Sequence, residues 1–518
     1  MKKLLLFTVC FIGMSSCFAQ VSLEEGITEG NEKDCRVEKM LGRNEKSFYM
    51  LKFYGDDSGK HYLLERYISA TMKKEFSKSI DISDEKNATY VNAFYTNGKV
   101  FVFREMEDKE RKVKALMMQV IDEDGNASPD LTRIFECSIA AKMGMMVRNK
   151  EVVDGYVNLV DYFIELSPDR SKFLFIAETR MISEITTGKD LAKIMNLPNL
   201  AVSFDKELPG KYREFDMSCW NYRLSDKGDI YFNFNYTDSD NSTKLAVGKI
   251  IPSKSPVVEA KNIEFDRRGQ KVEDTEMTIR GDKVFCVILY KTRKKEKEKE
   301  NLAPLFGVFE QTSDLSSLKV LGSDSMHFST DIARRISTGS SFYFRTYRIA
   351  GMQFIGDNMY TVIEQTSLVK GSFVIVKFTG GKKIDWMKPV IRNYDIHAER
   401  NNHFLVYSTE DKLYLLFGED ENMTKKPMES LTMDNCKRTS EKNADVVAVS
   451  IDEKGNMSKN TVYKRNKMIL RFIEKDTNIP DGYYSTLDFG LIAPAGKDAA
   501  IVYIKGHLES KLAKLSFN

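Results

Sequence analysis

The chain has 518 residues, 42% of them hydrophobic and 30% charged, with a formal net charge of +3. A single compact core stops growing at roughly 250–300 residues, so this length implies two domains or a repeat architecture. The near-neutral balance lacks the basic excess of a dedicated nucleic-acid binder, and only 11 prolines argue against Pro-rich linkers.

The N-terminus reads as a targeting segment. Lys2 and Lys3 precede an apolar stretch over 4–13, and Ser15-Ser16-Cys17-Phe18-Ala19 supplies small residues before a cut after Ala19. This is the pattern of a secretory signal peptide and is too short to span a bilayer. The expected organisation is a signal peptide over 1–19 and one exported domain over 20–518, periplasmic or extracellular. Met14-Ser15-Ser16-Cys17 also loosely resembles a bacterial lipobox, which would make Cys17 a lipid anchor. Met14 fits that pattern poorly, so the free form is favoured. No later apolar run approaches the ~18 residues of a membrane helix, so the mature chain is expected to lack a transmembrane segment.

The remaining cysteines, Cys35, Cys137, Cys219, Cys286 and Cys436, are widely spaced and form no CxxC pair. A metal ribbon is not indicated, one disulfide is possible, and a chain of this length does not need a disulfide framework. Cys286 lies in an apolar run and reads as a core thiol.

One pattern recurs along the chain. A short apolar strand ends in a turn of Asp, Asn or Gly, and a strand rich in Val, Ile, Phe and Tyr follows at once. Copies include Phe94–Phe103 with Asn97-Gly98, Leu224–Phe232, Ile279–Phe285 with Gly281-Asp282, Phe354–Tyr360 and Tyr407–Tyr414. Asn-Gly and Gly-Asp favour tight hairpin turns because they tolerate positive φ. The second strands begin near Phe48, Val100, Phe173, Ile230, Val284, Met359, Leu413 and Ala500, about 65 residues apart on average. That spacing suits a four-stranded unit with insertions. Ile121-Asp122-Glu123-Asp124-Gly125-Asn126 is echoed by Ile451-Asp452-Glu453-Lys454-Gly455-Asn456, each after a third strand.

Phe163-Ile164-Glu165-Leu166-Ser167-Pro168-Asp169-Arg170-Ser171-Lys172-Phe173 resembles the strand-turn-strand of TolB-type and related WD40-like β-propellers. Arg170 and Ser171 replace the usual glycine. The looser hairpin series covers most of 45–518 and resembles propellers broadly. The resemblance implies an all-β ring of seven or eight four-stranded antiparallel blades. The last unit holds three strands near 486–493, 498–504 and 512–517, so a strand from the N-terminal region, 21–28 or 37–41, is expected to close the ring and remove an edge.

Three stretches fall outside the plain blade. The segment 187–195 reads as a short helix with Asp190 near its start. Residues 324–348 and 422–443 read as irregular insertions, and loops carry function more often than scaffold does. The run Lys291-Thr292-Arg293-Lys294-Lys295-Glu296-Lys297-Glu298-Lys299-Glu300 reads as a solvated hairpin loop, because its glutamates cut the field.

Catalytic signatures are sparse. There is no GxSxG, HExxH, P-loop or GxGxxG, so no cofactor is indicated. His397 and His403 read as surface or packing residues rather than a metal site. Asp122/Asp124 and Asp238/Asp240 are tempting carboxylate pairs, and 238–241 could bind calcium, but Asp in turns is common for backbone reasons. Trp220 and Trp386 read as core residues before sugar platforms. No catalytic residue is assigned. The expected function is a binding or scaffold protein for a protein or glycan partner in the cell envelope. The alternative is a polysaccharide hydrolase or lyase with carboxylates from several blades at the funnel.

Overall fold

The second strands of the repeats dictate the architecture, because they are apolar on both faces. In Lys283–Thr292, residues Val284, Cys286, Ile288 and Tyr290 pack on the sheet before it, against Tyr231 and Val247. Phe285, Val287 and Leu289 pack on the sheet after it, against Met359, Ile363 and Val374. A strand buried on both sides needs a neighbouring sheet on each side, and a closed ring of sheets supplies this everywhere.

A computed structural model gives this ring as eight antiparallel blades. It describes residues 21–517 apart from 31–34, 57–58, 81–87, 112, 139–145, 149–150, 154–157, 182–189, 214, 240–241, 255–257, 266–269, 293–305, 337–346, 367–368, 393, 396–403, 421, 433–434, 437–443, 465–485, 497–498 and 506–508. Blades 1 to 7 span 35–80, 88–138, 158–207, 211–262, 270–327, 347–395 and 404–463. Blade 8 takes three strands from 486–517, and Val21–Gly30 pairs antiparallel with Glu509–Phe517 as its outermost strand. The expected second strands all fall where the sequence places them, and the count is eight. Of the two closing candidates the first is used. The other, 37–41, lies within Cys35–Arg43, the innermost strand of blade 1.

The innermost strands follow one another around the axis: Cys35–Arg43, Ala88–Thr96, Asn158–Leu166, Phe215–Leu224, Gln270–Arg280, Tyr347–Ile355, Phe404–Ser408 and Thr486–Gly496. Burial peaks at the second strands and falls toward the outermost ones. The outermost strand of blade 3, Ala201–Glu207, buries only Phe204.

The two ends of the ring differ. One carries the first-to-second and third-to-fourth strand turns, which are short and built from capped Asp, Ser and Gly (97–98, 281–282, 356–357, 380–382, 453–456). The strand ends at the opposite end bound the long connections in sequence: 139–157, 293–305, 328–346, 391–403, 421–443 and 464–485. A short hairpin, Met146–Arg148 with Glu151–Val153, and a helix, Thr330–Arg335 capped by Ser329, lie in these connections.

Two local expectations need correction. The helix expected over 187–195 is replaced by a strand, Asp190–Asn196, paired on both sides within blade 3. Ala192 and Ile194 face one core and Leu191 and Met195 the other, so sheet burial overrides helix propensity. The insertion expected from Asp324 begins later, because Val320–His327 is the outermost strand of blade 5.

Closure is sealed by Phe517, which stacks on Tyr407 of blade 7 at 4.3 Å and lies 5.0 Å from Tyr414. Phe517→Ala is expected to lower unfolding free energy by about 3–5 kcal/mol, read by chemical denaturation.

Candidate functional site

The echoed Asp-Glu-x-Gly-Asn segments are the third-to-fourth strand turns of blades 2 and 7. Asp122 Oδ1 accepts from the amides of Asp124 (3.0 Å) and Asn126 (2.7 Å), and Asp452 Oδ1 accepts from those of Lys454 (2.9 Å) and Asn456 (2.8 Å). Gly125 and Gly455 take φ of 79° and 80°, which suits glycine. These hydrogen bonds hold both aspartates below their ordinary carboxylate range. Each turn also receives the preceding blade. Arg66 Nη1 donates to the Glu123 carbonyl at 2.7 Å, and Lys377 Nζ donates to the Glu453 carbonyl at 2.8 Å. The Asp122/Asp124 pair therefore serves a turn that staples two blades. Asp238 caps the Ser239 amide in a hairpin turn, and Asp240 lies outside the described residues.

Trp386 also belongs to this staple: its indole N–H donates to the Glu453 carbonyl at 3.2 Å and its ring meets Tyr360 edge-on. Trp220 lies in the innermost strand of blade 4, in the register shift between Cys219 and Asn221. Cys286, Cys137 and Cys436 are buried thiols outside any disulfide, and burial pushes the Cys286 thiol up to about 12. His397, His403, Cys17 and most of the basic run lie outside the described residues; Lys291 pairs with Glu273 at 2.7 Å. Among the described residues, no cluster of His, Cys, Asp and Glu is placed to hold a metal ion, and no helix is long and apolar enough to cross a membrane.

The polar chemistry concentrates on the innermost strands. Five of them break register at corresponding places, and Lys39, Asn92, Asn221, Asp274 and Gly351 follow the break. A bulge re-aims the next side chain, here toward the adjoining blade. Lys39 Nζ donates to Asn92 Oδ1 at 2.6 Å, Asn221 Nδ2 to the Thr275 carbonyl at 2.9 Å, and the Ile349 amide to Asp274 Oδ2 at 2.7 Å. Lys39 also sits 4.0 Å over the Phe94 ring, and burial lowers its pKa to about 8.

Nearer the short-turn end, three blades meet through charge. Arg223 of blade 4 donates through Nη2 to Glu276 Oε1 of blade 5 at 2.5 Å and through Nη1 to the Tyr222 carbonyl at 2.7 Å. Its Nε stays 3.8 Å from Glu165 Oε1 of blade 3. These side chains are 22%, 27% and 24% exposed, so they line the channel rather than fill the core. Burial raises Glu165 to about 7; Arg223 and the Leu224 backbone oppose that rise, and Glu276 adds to it. Burial raises Glu276 as well. Sequence reasoning missed this trio, because each is one charge in an otherwise apolar strand and only the ring unites them.

Two further charged groups are structural. Glu310, in the third strand of blade 5 (Phe306–Asp314), is fully buried and pairs with Thr361 Oγ1 of blade 6 at 2.7 Å; burial raises it to about 8. Arg392, 1% exposed, pairs with Glu364 at 3.0 Å and lies 4.6 Å over the Phe373 ring.

No family model matches the chain, and no curated protein matches it. The similar solved structures include the β-propeller domain of the Trilobed protease from Pyrococcus furiosus, at 11% identity and a TM-score of 0.36 over 84% of this chain and 98% of that one. Pyrococcus horikoshii acylaminoacyl peptidase matches at 11% identity and 0.35, over 91% of this chain and 58% of that one. The GH93 α-L-arabinofuranosidase of Fusarium graminearum matches at 9% identity and 0.31, over 64% and 87%. The propeller assignment rests on the sheet order of the chain itself.

Asp452→Ala is expected to cost about 1 kcal/mol through the lost turn hydrogen bonds, read by denaturation. Glu310 keeps its proton to higher pH when folded than when unfolded. Its contribution is thus present below its ordinary carboxylate value and lost as pH rises to about 8. Glu310→Gln should flatten that decline, with a Tm advantage that grows between pH 5 and 8.

Proposed function

We propose that the protein is an exported, non-enzymatic propeller that binds a protein or glycan partner in the cell envelope through the end bearing the long connections. The observation that carries this reading is the difference between the two ends. One is closed by short turns whose side chains are occupied in capping and stapling; from the strand ends of the other the chain's long connections leave a ring of paired sheets. Variable segments on a stiff scaffold are the usual site of recognition. The hydrolytic alternative draws support from Glu165 and Glu276, carboxylates of two blades beside one channel. The 2.5 Å contact between Arg223 and Glu276 occupies the second carboxylate, which favours binding over acid–base chemistry.

Crosslinking in the native envelope, followed by mass spectrometry, tests the reading. A partner is expected on Lys109, Lys425 and Lys426, which lie in connections of the elaborated end and are exposed. A partner captured only through Lys46, Lys227, Lys382 and Lys454, on the short-turn end, would overturn it. Turnover of a polysaccharide that is abolished by Glu165→Gln would move the assignment to the hydrolase.

A further inference from the structure

We propose that a groove on the side of blade 2 that faces blade 1, at the end opposite the short turns, binds an amphipathic carboxylate, with its aliphatic chain on an apolar floor and its carboxylate on Arg111 and Arg133. The ligand is a small molecule, so this goes beyond the partner reading above and does not rest on it.

The groove exists because a sheet face is left open. In Lys99–Asp108, Val100 and Val102 pack into the core shared with blade 1. Side chains alternate along a strand, so Met106 lies on that same side. It pairs with Ala115 of the third strand, Val113–Asp122, and Met117 lies two residues further along that strand. These three are half-buried only, and every described residue that lines the groove belongs to blade 2. The groove holds about 570 Å³, within the roughly 300–1,000 Å³ of small-molecule sites. Its two methionines suit it to an aliphatic chain, because an unbranched thioether adapts to irregular apolar shapes.

The outer wall sets the polarity of the ligand. In Thr132–Ser138, Glu136 stands beside Ala115 and Arg133 beside Met117, so the charges border the floor directly. Arg111 Nη2 donates to Glu136 Oε1 at 2.9 Å, and Arg133 Nη1 donates to Glu136 Oε2 at 2.6 Å. Two guanidiniums thus share one carboxylate. Their side chains are 60% and 58% exposed, and each carries five N–H donors, so both keep donors for a second carboxylate. Three bases and four acids line the groove, so placement rather than the sum decides. Glu136 is committed to the arginines, and Asp108 accepts from the Arg111 amide at 2.9 Å. Glu107 and Glu110 flank Lys109 on the hairpin side, away from Thr132–Ser138 in the sheet order.

The probe is decanoate, titrated into the full chain at low salt and neutral pH, below its micelle range, and followed by calorimetry. Affinity is expected to rise about fivefold from hexanoate to octanoate and again from octanoate to decanoate, as each added pair of methylenes leaves water. Decylamine has the same tail and the opposite charge, and it should bind about tenfold more weakly than decanoate. Arg111→Gln with Arg133→Gln should weaken decanoate about tenfold while far-ultraviolet dichroism stays unchanged. Ala115→Leu, which fills the floor, should weaken it as well. Lys46→Gln, at an exposed lysine of the short-turn end, should leave affinity unaltered. No binding of decanoate, affinity independent of tail length, equal binding of decylamine, or full affinity in the double arginine variant would each overturn the proposal. The tail series uses the natural chain, so it decides even if a variant fails to fold. Partner crosslinks in the envelope are independent of these outcomes, so the two readings fail separately.

Discussion

Each blade is a sheet with two apolar faces and no layer of its own to cover either. Val284 through Tyr290 are all buried, four against the blade before and three against the blade after. Each such side chain contributes roughly 1.5–3 kcal/mol when removed from water, so an uncovered face would forfeit several of them at once. The ring has to be complete for any blade to be satisfied. That is why strand Val21–Gly30 is placed in blade 8 rather than beside its sequence neighbours in blade 1. It covers the edge of Glu509–Phe517 and brings Val21 into the core shared with blade 7.

Polar groups are then confined to the places where the apolar layers end. At the short-turn end, cations on third strands reach carbonyls of the following blade: Arg66 to Glu123, Lys249 to Ser316 and Lys377 to Glu453. Along the channel, the bulged inner strands exchange side-chain hydrogen bonds between blades. Where a charge is buried deeper, it is matched, as Arg392 and Arg348 match Glu364. Among the described residues no cation forms an ion pair with Glu310, and burial raises its carboxyl to about 8.

This division explains what the sequence discloses. The second strands were legible because burial on both faces writes an unbroken apolar run, bounded by turns whose Gly and Asn need positive φ, as at Gly98, Gly281 and Gly356. The turn after Leu166 kept its geometry despite losing glycine: Arg170 adopts φ of 59° and is held by its guanidinium on the Tyr95 carbonyl at 2.6 Å. Asp190–Asn196 misled because Ala, Leu, Lys and Met favour helices when considered locally, and only its pairing to two strands decides otherwise. Outer strands such as Ala201–Glu207 were faint for the opposite reason, being nearly all exposed. The channel trio could not be read at all. Glu165, Arg223 and Glu276 lie about 55 residues apart along the chain, and proximity comes only from the equivalence of blade positions.

The pairing of Val21 with Phe517 also has a consequence in time. It joins the first described residue to the last, the longest loop closure among the described residues, and such contacts form late because their entropy must be met before they gain anything. Seven blades can fold in order as the chain emerges. The eighth cannot be completed until its last strand is free, and until then Glu509–Phe517 and Val21–Gly30 both present unpaired edges. A chain built this way exposes those edges throughout synthesis, and its folding rate should respond most to changes at that one seam.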